Sequence, residues 1–135
     1  MSVAKKAVFI VGAKRTPFGS FGGSLKHLSA TDLAVHSSKA AIAHAKISPE
    51  KIDESIFGNV IGSSLDSTYL SRHVGLKCGV PVHKPALTIN RLCGSGFETV
   101  CIGAEAVQLV RLCLLSSINL NFFLTLCMFP NNITG

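Results

Sequence analysis

Ala7–Val11 (AVFIV) is a continuous apolar run, the pattern of a strand buried on both faces. A loop follows, punctuated by Pro17, Gly19, Gly22 and Gly23. The pattern then predicts a helix over about Thr31–Lys46, with Ser29 or Thr31 as N-cap, Asp32 in the first turn and Lys46 in the last. Ser48-Pro49-Glu50 predicts another helix start, with proline at the first helical position. Ser55–Ile61 reads as a second strand, Tyr69–Cys78 as a second longer helix closed by Gly79 and Pro81, and Ala86–Asn90 (ALTIN) as a third strand. The helix after it would place Phe97, Val100, Cys101, Ala104 and Val107 on one face, opposite Glu98, Glu105 and Gln108. Strands alternating with helices predict an α/β layer structure with a largely parallel sheet and packed helices. There is no internal repeat.

The pattern breaks near Arg111, the last charged residue. The twenty-four residues after it, 112–135, carry no charge and show neither alternation nor a helical repeat, so no folded amphipathic element is expected there. Leu112–Phe129 approaches the length of a short membrane span, but Ser116, Ser117, Asn119 and Asn121 interrupt it, which speaks against a membrane partner. Two regions are therefore expected, 1–111 and 112–135.

Composition narrows the function classes. An apolar share of 47% with 15% charged residues excludes a disordered or nucleic-acid-binding tail composition. The formal net charge is +6, yet Lys5, Lys6, Lys14, Arg15, Lys26, Lys39, Lys77 and Arg91 are scattered rather than gathered with aromatics. A basic soluble protein, or one attracted to a phosphorylated small molecule, fits better than a nucleic-acid partner. The five cysteines (Cys78, Cys93, Cys101, Cys113 and Cys127) are odd in number and form no CxxC pair, which favours reduced thiols in an intracellular compartment. His27, His36, His44, His73 and His83 show no metal-ligand spacing, so no metal is expected.

Candidate chemistry concentrates at Asn90–Thr99 (NRLCGSGFET), between an apolar strand and a helix. Gly94 and Gly96 sit where a dinucleotide fingerprint would, but Thr99 replaces its third glycine and no acidic residue lies some twenty positions on. The serine-hydrolase elbow fails too, because Ser95 has glycine on both sides. Cys93 is the better candidate. A thiolate attacks carbonyl carbon, and a helix N-terminus favours the thiolate through its unpaired N–H groups. Gly94 and Gly96 would clear space for a thioester and leave backbone N–H groups as oxyanion donors. Against this stands the reading of Cys93 as a small buried hydrophobe, the expected role of Cys78, Cys101 and Cys113.

Asn90–Phe97 (NRLCGSGF) resembles the nucleophile motif of the thiolases. Lys14–Gly19 (KRTPFG), Ala30–Leu33 (ATDL), Phe57–Val60 (FGNV) and Leu70–Leu76 (LSRHVGL) resemble the same family in its order and spacing, over roughly residues 7–110. The mitochondrial 3-ketoacyl-CoA (acetyl-CoA acyltransferase) branch is the more similar one. The resemblance implies a thiolase-like fold, incomplete as an amino-terminal half, and a homo-oligomeric family. It implies acyl transfer through Cys93 as acyl-thioester nucleophile, acyl-CoA as substrate and coenzyme A as co-substrate rather than a permanently bound cofactor. It also implies a place in fatty acid β-oxidation in the mitochondrial matrix, with the cytoplasm as the alternative compartment.

The family's activating histidine, second cysteine, oxyanion partners and coenzyme A loop lie downstream of the matched region, so the fragment is expected to be inactive. Glu98 stands where the family generally has glutamine. By resemblance Ala7–Val11 would be a central strand, flanked by one that follows the nucleophile helix, with Leu112–Leu115 as the candidate for that slot. Two other readings remain at this point: a β-ketoacyl synthase relative, and a non-catalytic or membrane-associated interaction fragment.

Overall fold

The computed structural model describes residues 7–110 together with the backbone of two later strands. Five strands and three helices follow one another as β1 (Val8–Arg15), α1 (Ala30–Ala45), β2 (Glu54–Gly58), α2 (Leu70–Lys77), β3 (Ala86–Ile89), α3 (Ser95–Val110), β4 (Leu114–Asn119) and β5 (Phe123–Pro130). One-turn 3-10 helices at Pro49–Lys51 and Ser67–Tyr69 precede β2 and α2.

The strand order is β1-β5-β4-β2-β3. β2 runs parallel to both β3 and β4, while β5 is antiparallel to β4 and to β1. Four strands thus point one way and β5 alone opposes them, the largely parallel α/β sheet expected from the alternation.

Two expectations fail here. The uncharged segment after Arg111 supplies two of the five strands although it shows no alternation, and Leu114–Asn119 pairs with β2 rather than with β1. Among the described strands β1 lies at the edge, not the centre, because β5 separates it from the rest of the sheet. Its apolar run is correspondingly not buried on both faces: Phe9 is 49% and Ile10 56% exposed. Cys113 and the residues from 131 onward lie outside the described residues, and no helix among the described residues is long and apolar enough to cross a membrane.

Helix ends follow their side chains. Ser29 caps α1: its Oγ accepts from the Asp32 N–H at 3.1 Å, and the Asp32 carboxylate accepts from the Ser29 N–H at 3.0 Å. This reciprocal pair satisfies two of the donors a helix start leaves open. It also holds the Asp32 carboxyl below its ordinary range, first through the Ser29 hydroxyl and then through its backbone N–H. Thr31, the other candidate cap, is instead buried in the first turn. α2 ends in a Schellman motif, with Gly79 at φ 90° and bonds from Val80 N to Gly75 O (3.0 Å) and from Gly79 N to Leu76 O (3.1 Å).

Helices cover both faces of the sheet. Phe57 of β2 joins Ala34, Ala41 and Ile42 of α1 and Leu70 and Val74 of α2 in the larger apolar cluster, with Ile52, Cys78 and Val80. Its neighbour Ile56 points the other way, to Val107 of α3, with Val8, Val100, Ile102 and Ala106 partly buried around them. Small residues bring α1 close to β1: a Cβ added at Gly12 would lie 2.6 Å from the Ala41 carbonyl oxygen.

Candidate active site

The expected nucleophile lies in a tight turn between β3 and α3. Asn90 leaves β3 with its Oδ1 accepting from the Leu92 N–H at 3.0 Å and its Nδ2 donating to the Val60 carbonyl at 3.2 Å. Leu92 adopts φ 48°, a left-handed conformation that a branched side chain enters at a cost of about 1–2 kcal/mol. The turn is over-determined around it. Gly94 N–H donates to Arg91 O at 3.0 Å, and Ser95 N–H donates to Leu92 O at 3.0 Å. The fully buried Ser95 hydroxyl accepts from Arg91 N–H at 2.8 Å and donates to Leu92 O at 2.7 Å.

This turn sets Cys93 two residues ahead of α3, with its thiol exposed. Of the two glycines expected to leave N–H groups free, Gly94 does not, since Arg91 O takes its proton. The Gly96 and Phe97 N–H groups meet no acceptor among the described residues, as expected in a first helical turn. Glu98 pairs with Arg91, so the acidic residue at this position closes an ion pair across the turn. Among the described residues no hydrogen bond reaches the Cys93 sulfur, from histidine or otherwise.

The base of the turn rests on β2. A Cβ added at Gly58 would come within 2.9 Å of Ser95 Cβ and 3.0 Å of the Ser95 carbonyl carbon, so glycine allows α3 to seat on the strand. That close approach also sets the phase of the helix. Ser95, Gly96, Thr99, Gly103 and Val107 are its buried positions, whereas Phe97 and Cys101 are exposed. The expected face of Phe97, Val100, Cys101, Ala104 and Val107 is therefore rotated, because small residues are needed where the strand is near. Buried Thr99 satisfies its hydroxyl on Gly96 O at 2.7 Å. Cys101 is accordingly not a packing residue. Cys78 is: burial pushes its thiol up to about 11.

A second polar cluster stands on the β2–α2 connection. Asp66 accepts from the Ser64 and Thr31 hydroxyls, both at 2.6 Å, and His73 Nδ1 lies 3.1 Å from its Oδ2. These partners, in the order Ser64, Thr31 and His73, hold the Asp66 carboxyl far below its usual range. The lone-histidine spacing gave no sign of this pairing. Thr31 lies 35 positions from Asp66, and the fold brings them together. His27, His36, His44 and His83 form no metal cluster among the described residues.

An exposed cysteine thus stands in a hydrogen-bonded turn just ahead of a helix that is seated on Gly58 of β2. Residues 8–112 match the thiolase amino-terminal domain. The chain belongs to the thiolase family. It is 55% identical over 102 residues to the human mitochondrial 3-ketoacyl-CoA thiolase, covering 76% of this chain and 26% of that protein. To an acetyl-CoA acetyltransferase of Clostridioides difficile it is 46% identical over 94 residues, 70% of this chain and 87% of that one. The crystal structure of human mitochondrial 3-ketoacyl-CoA thiolase in complex with CoA superposes with a TM-score of 0.80 at 50% identity, over 83% of this chain and 29% of that chain. The chain spans about a quarter of the length of the mitochondrial thiolases it matches.

Proposed function

We propose that Cys93 is the acyl-accepting nucleophile of a thiolytic acyltransferase acting on 3-oxoacyl-CoA. The thiolate would attack the 3-keto carbon, and the carbon–carbon bond to C2 would break. Its electron pair, with a proton, leaves as acetyl-CoA, and the shortened acyl group stays on sulfur as a thioester. Free coenzyme A then attacks that thioester and regenerates the thiolate. Splitting the reaction through a covalent intermediate is the general advantage of nucleophilic catalysis. The observation that carries this reading is the exposure of Cys93 immediately ahead of α3, where the unpaired Gly96 and Phe97 N–H groups are available to a developing oxyanion.

Residues 1–111 act in this proposal as the nucleophile-bearing part of a thiolase, and 112–135 as a continuation without family resemblance. A mitochondrial location is carried over from the mitochondrial relatives, while the matrix, a role in β-oxidation and homo-oligomeric assembly rest on the family resemblance of the sequence. No described residue supplies a base to the sulfur, so turnover by this polypeptide alone is expected on the order of several powers of ten below that of a full site. The test is intact-mass analysis after incubation with an acyl-CoA, followed by peptide mapping. Acylation at Cys93, with buried Cys78 unmodified, is the expected result. Labelling that spares Cys93, or steady-state cleavage of 3-oxoacyl-CoA at ordinary enzyme rates, would overturn the respective half of the proposal.

A further inference from the structure

Arg91 is tied to the start of α3 at three points, and two of them use its backbone. Its N–H donates to the buried Ser95 hydroxyl at 2.8 Å, and its carbonyl accepts from the Gly94 N–H at 3.0 Å. The third tie is its side chain, whose Nη1 pairs with Oε2 of Glu98 in the first turn of the helix. Cys93 lies inside the loop these ties close, with Arg91 before it and Gly94, Ser95 and Glu98 after it.

Arg91 and Glu98 are seven positions apart in the chain. In a regular helix that spacing would separate them by roughly 10 Å. The pair forms because the chain from Arg91 to Gly94 folds back over the helix start, so it exists when the turn is folded and breaks when the turn opens. A contact made in one of two conformations stabilises that one. The turn needs such a bias, because left-handed Leu92 stands between Arg91 and Cys93 and its strain favours release. An ion pair across the turn is of the same order as that strain.

Glu98 has a second use to set beside this one. A carboxylate in the first turn is favoured by the helix dipole whether or not it meets a cation. The two uses differ in what they ask of Arg91: the dipole asks nothing, and the clasp asks for the guanidinium. We infer that Glu98 is a positioning residue for the Cys93 thiol, clasping Arg91 to hold the turn in the form that presents the sulfur ahead of α3. It acts through Arg91 and touches no reacting atom. Its bearing on acyl transfer rests on the reading of Cys93 given above.

The test is a double-mutant cycle on the full chain, reading alkylation of Cys93 by iodoacetamide, a neutral reagent, with peptide mapping to separate the thiols. Glu98→Ala and Arg91→Ala should each slow Cys93 about two- to fivefold, as the thiol withdraws from the unpaired Gly96 and Phe97 N–H groups. The Gly94 and Ser95 amides should exchange faster by a similar factor. The double variant should be no slower than either single one. Arg91→Glu combined with Glu98→Arg keeps the net charge, restores a pair and should recover most of the loss. Should Glu98→Ala fray α3, seen as fast amide exchange throughout that helix, Glu98→Gln takes its place in the cycle. Additive effects, or an Arg91→Ala chain that reacts as the native one does, would leave Glu98 to the helix dipole and overturn the inference. Acylation by an acyl-CoA is measured separately. Additive variants on a chain that acylates defeat only this inference, and coupled variants on a chain that does not acylate defeat only the acyl-transfer reading.

Discussion

The two faces of the sheet are built to different depths. Against one face, α1 and α2 help gather eight buried residues around Phe57, with Val11, Leu33 and Ile47 among those packed against them. Against the other, the apolar cluster under α3 has only Ile56 and Val107 buried among the described residues, and Phe97 and Leu109 of α3 are 71% and 80% exposed. The nucleophile turn belongs to the thinner face. What holds it is not apolar bulk but close backbone approach at Gly58 and a set of short hydrogen bonds centred on Ser95. Packing density secures the first face and local geometry secures the second, so the two should fail in different ways.

The largest effect is expected at the shared strand. Phe57→Ala opens a cavity in the richer cluster and should cost about 3–5 kcal/mol, read as a lowered urea midpoint with an unchanged slope. Ile56→Ala, one residue away but on the α3 side, should cost less and act locally, as faster amide exchange in α3 than in α1. Equal global losses from the two would erase the distinction between the faces. Next in size is Gly58→Ala. The added methyl meets the Ser95 backbone, and overpacking of this kind costs about 1–3 kcal/mol. It should also change the rate of Cys93 alkylation while leaving exposed Cys101 as it was, and parallel changes at both thiols would argue against a local seat.

The smallest effect sharpens the comparison from the other side. Asp66 ties the β2–α2 connection to the first turn of α1, and its folded pKa lies below the unfolded one. Its contribution is therefore present above the ordinary aspartate value of about 3.9 and is lost progressively as pH falls through and below it. Asp66→Asn should flatten that acid limb of the stability curve, measured by denaturant titration between pH 5 and pH 2 on the order of half-unit steps. An unchanged acid limb would mean that Ser64, Thr31 and His73 do not bias the carboxylate.

How much of this could be read from residues alone divides along the same line. Elements whose signal is local were legible. Ser29 and Asp32 marked the start of α1, Gly79 and Pro81 marked the end of α2, and Cys93 was placed ahead of a helix by its two glycines. Features that depend on distant contacts were not. The buried phase of α3 follows its seat on Gly58, thirty-odd positions upstream, so periodicity found Val100 and Val107 but misplaced Phe97 and Cys101. The tail shows no alternation, and its strands are recognisable only through their pairing with β2, β4 and β1. The left-handed Leu92 and the Asp66–His73 pair have no sequence signature, since neither residue type announces that geometry.

The single opposing strand has a consequence for how the chain is made. On a ribosome β1 emerges first, yet among the described strands its ladder partner is β5, the last of the five. Until residues 123–130 leave the exit tunnel, Val8–Arg15 has nothing to hydrogen-bond and its exposed Phe9 and Ile10 are open to other nascent chains. Closing a loop of that length before any reward is a slow, non-local step, so the edge of β1 should stay unpaired for as long as β5 has yet to be made.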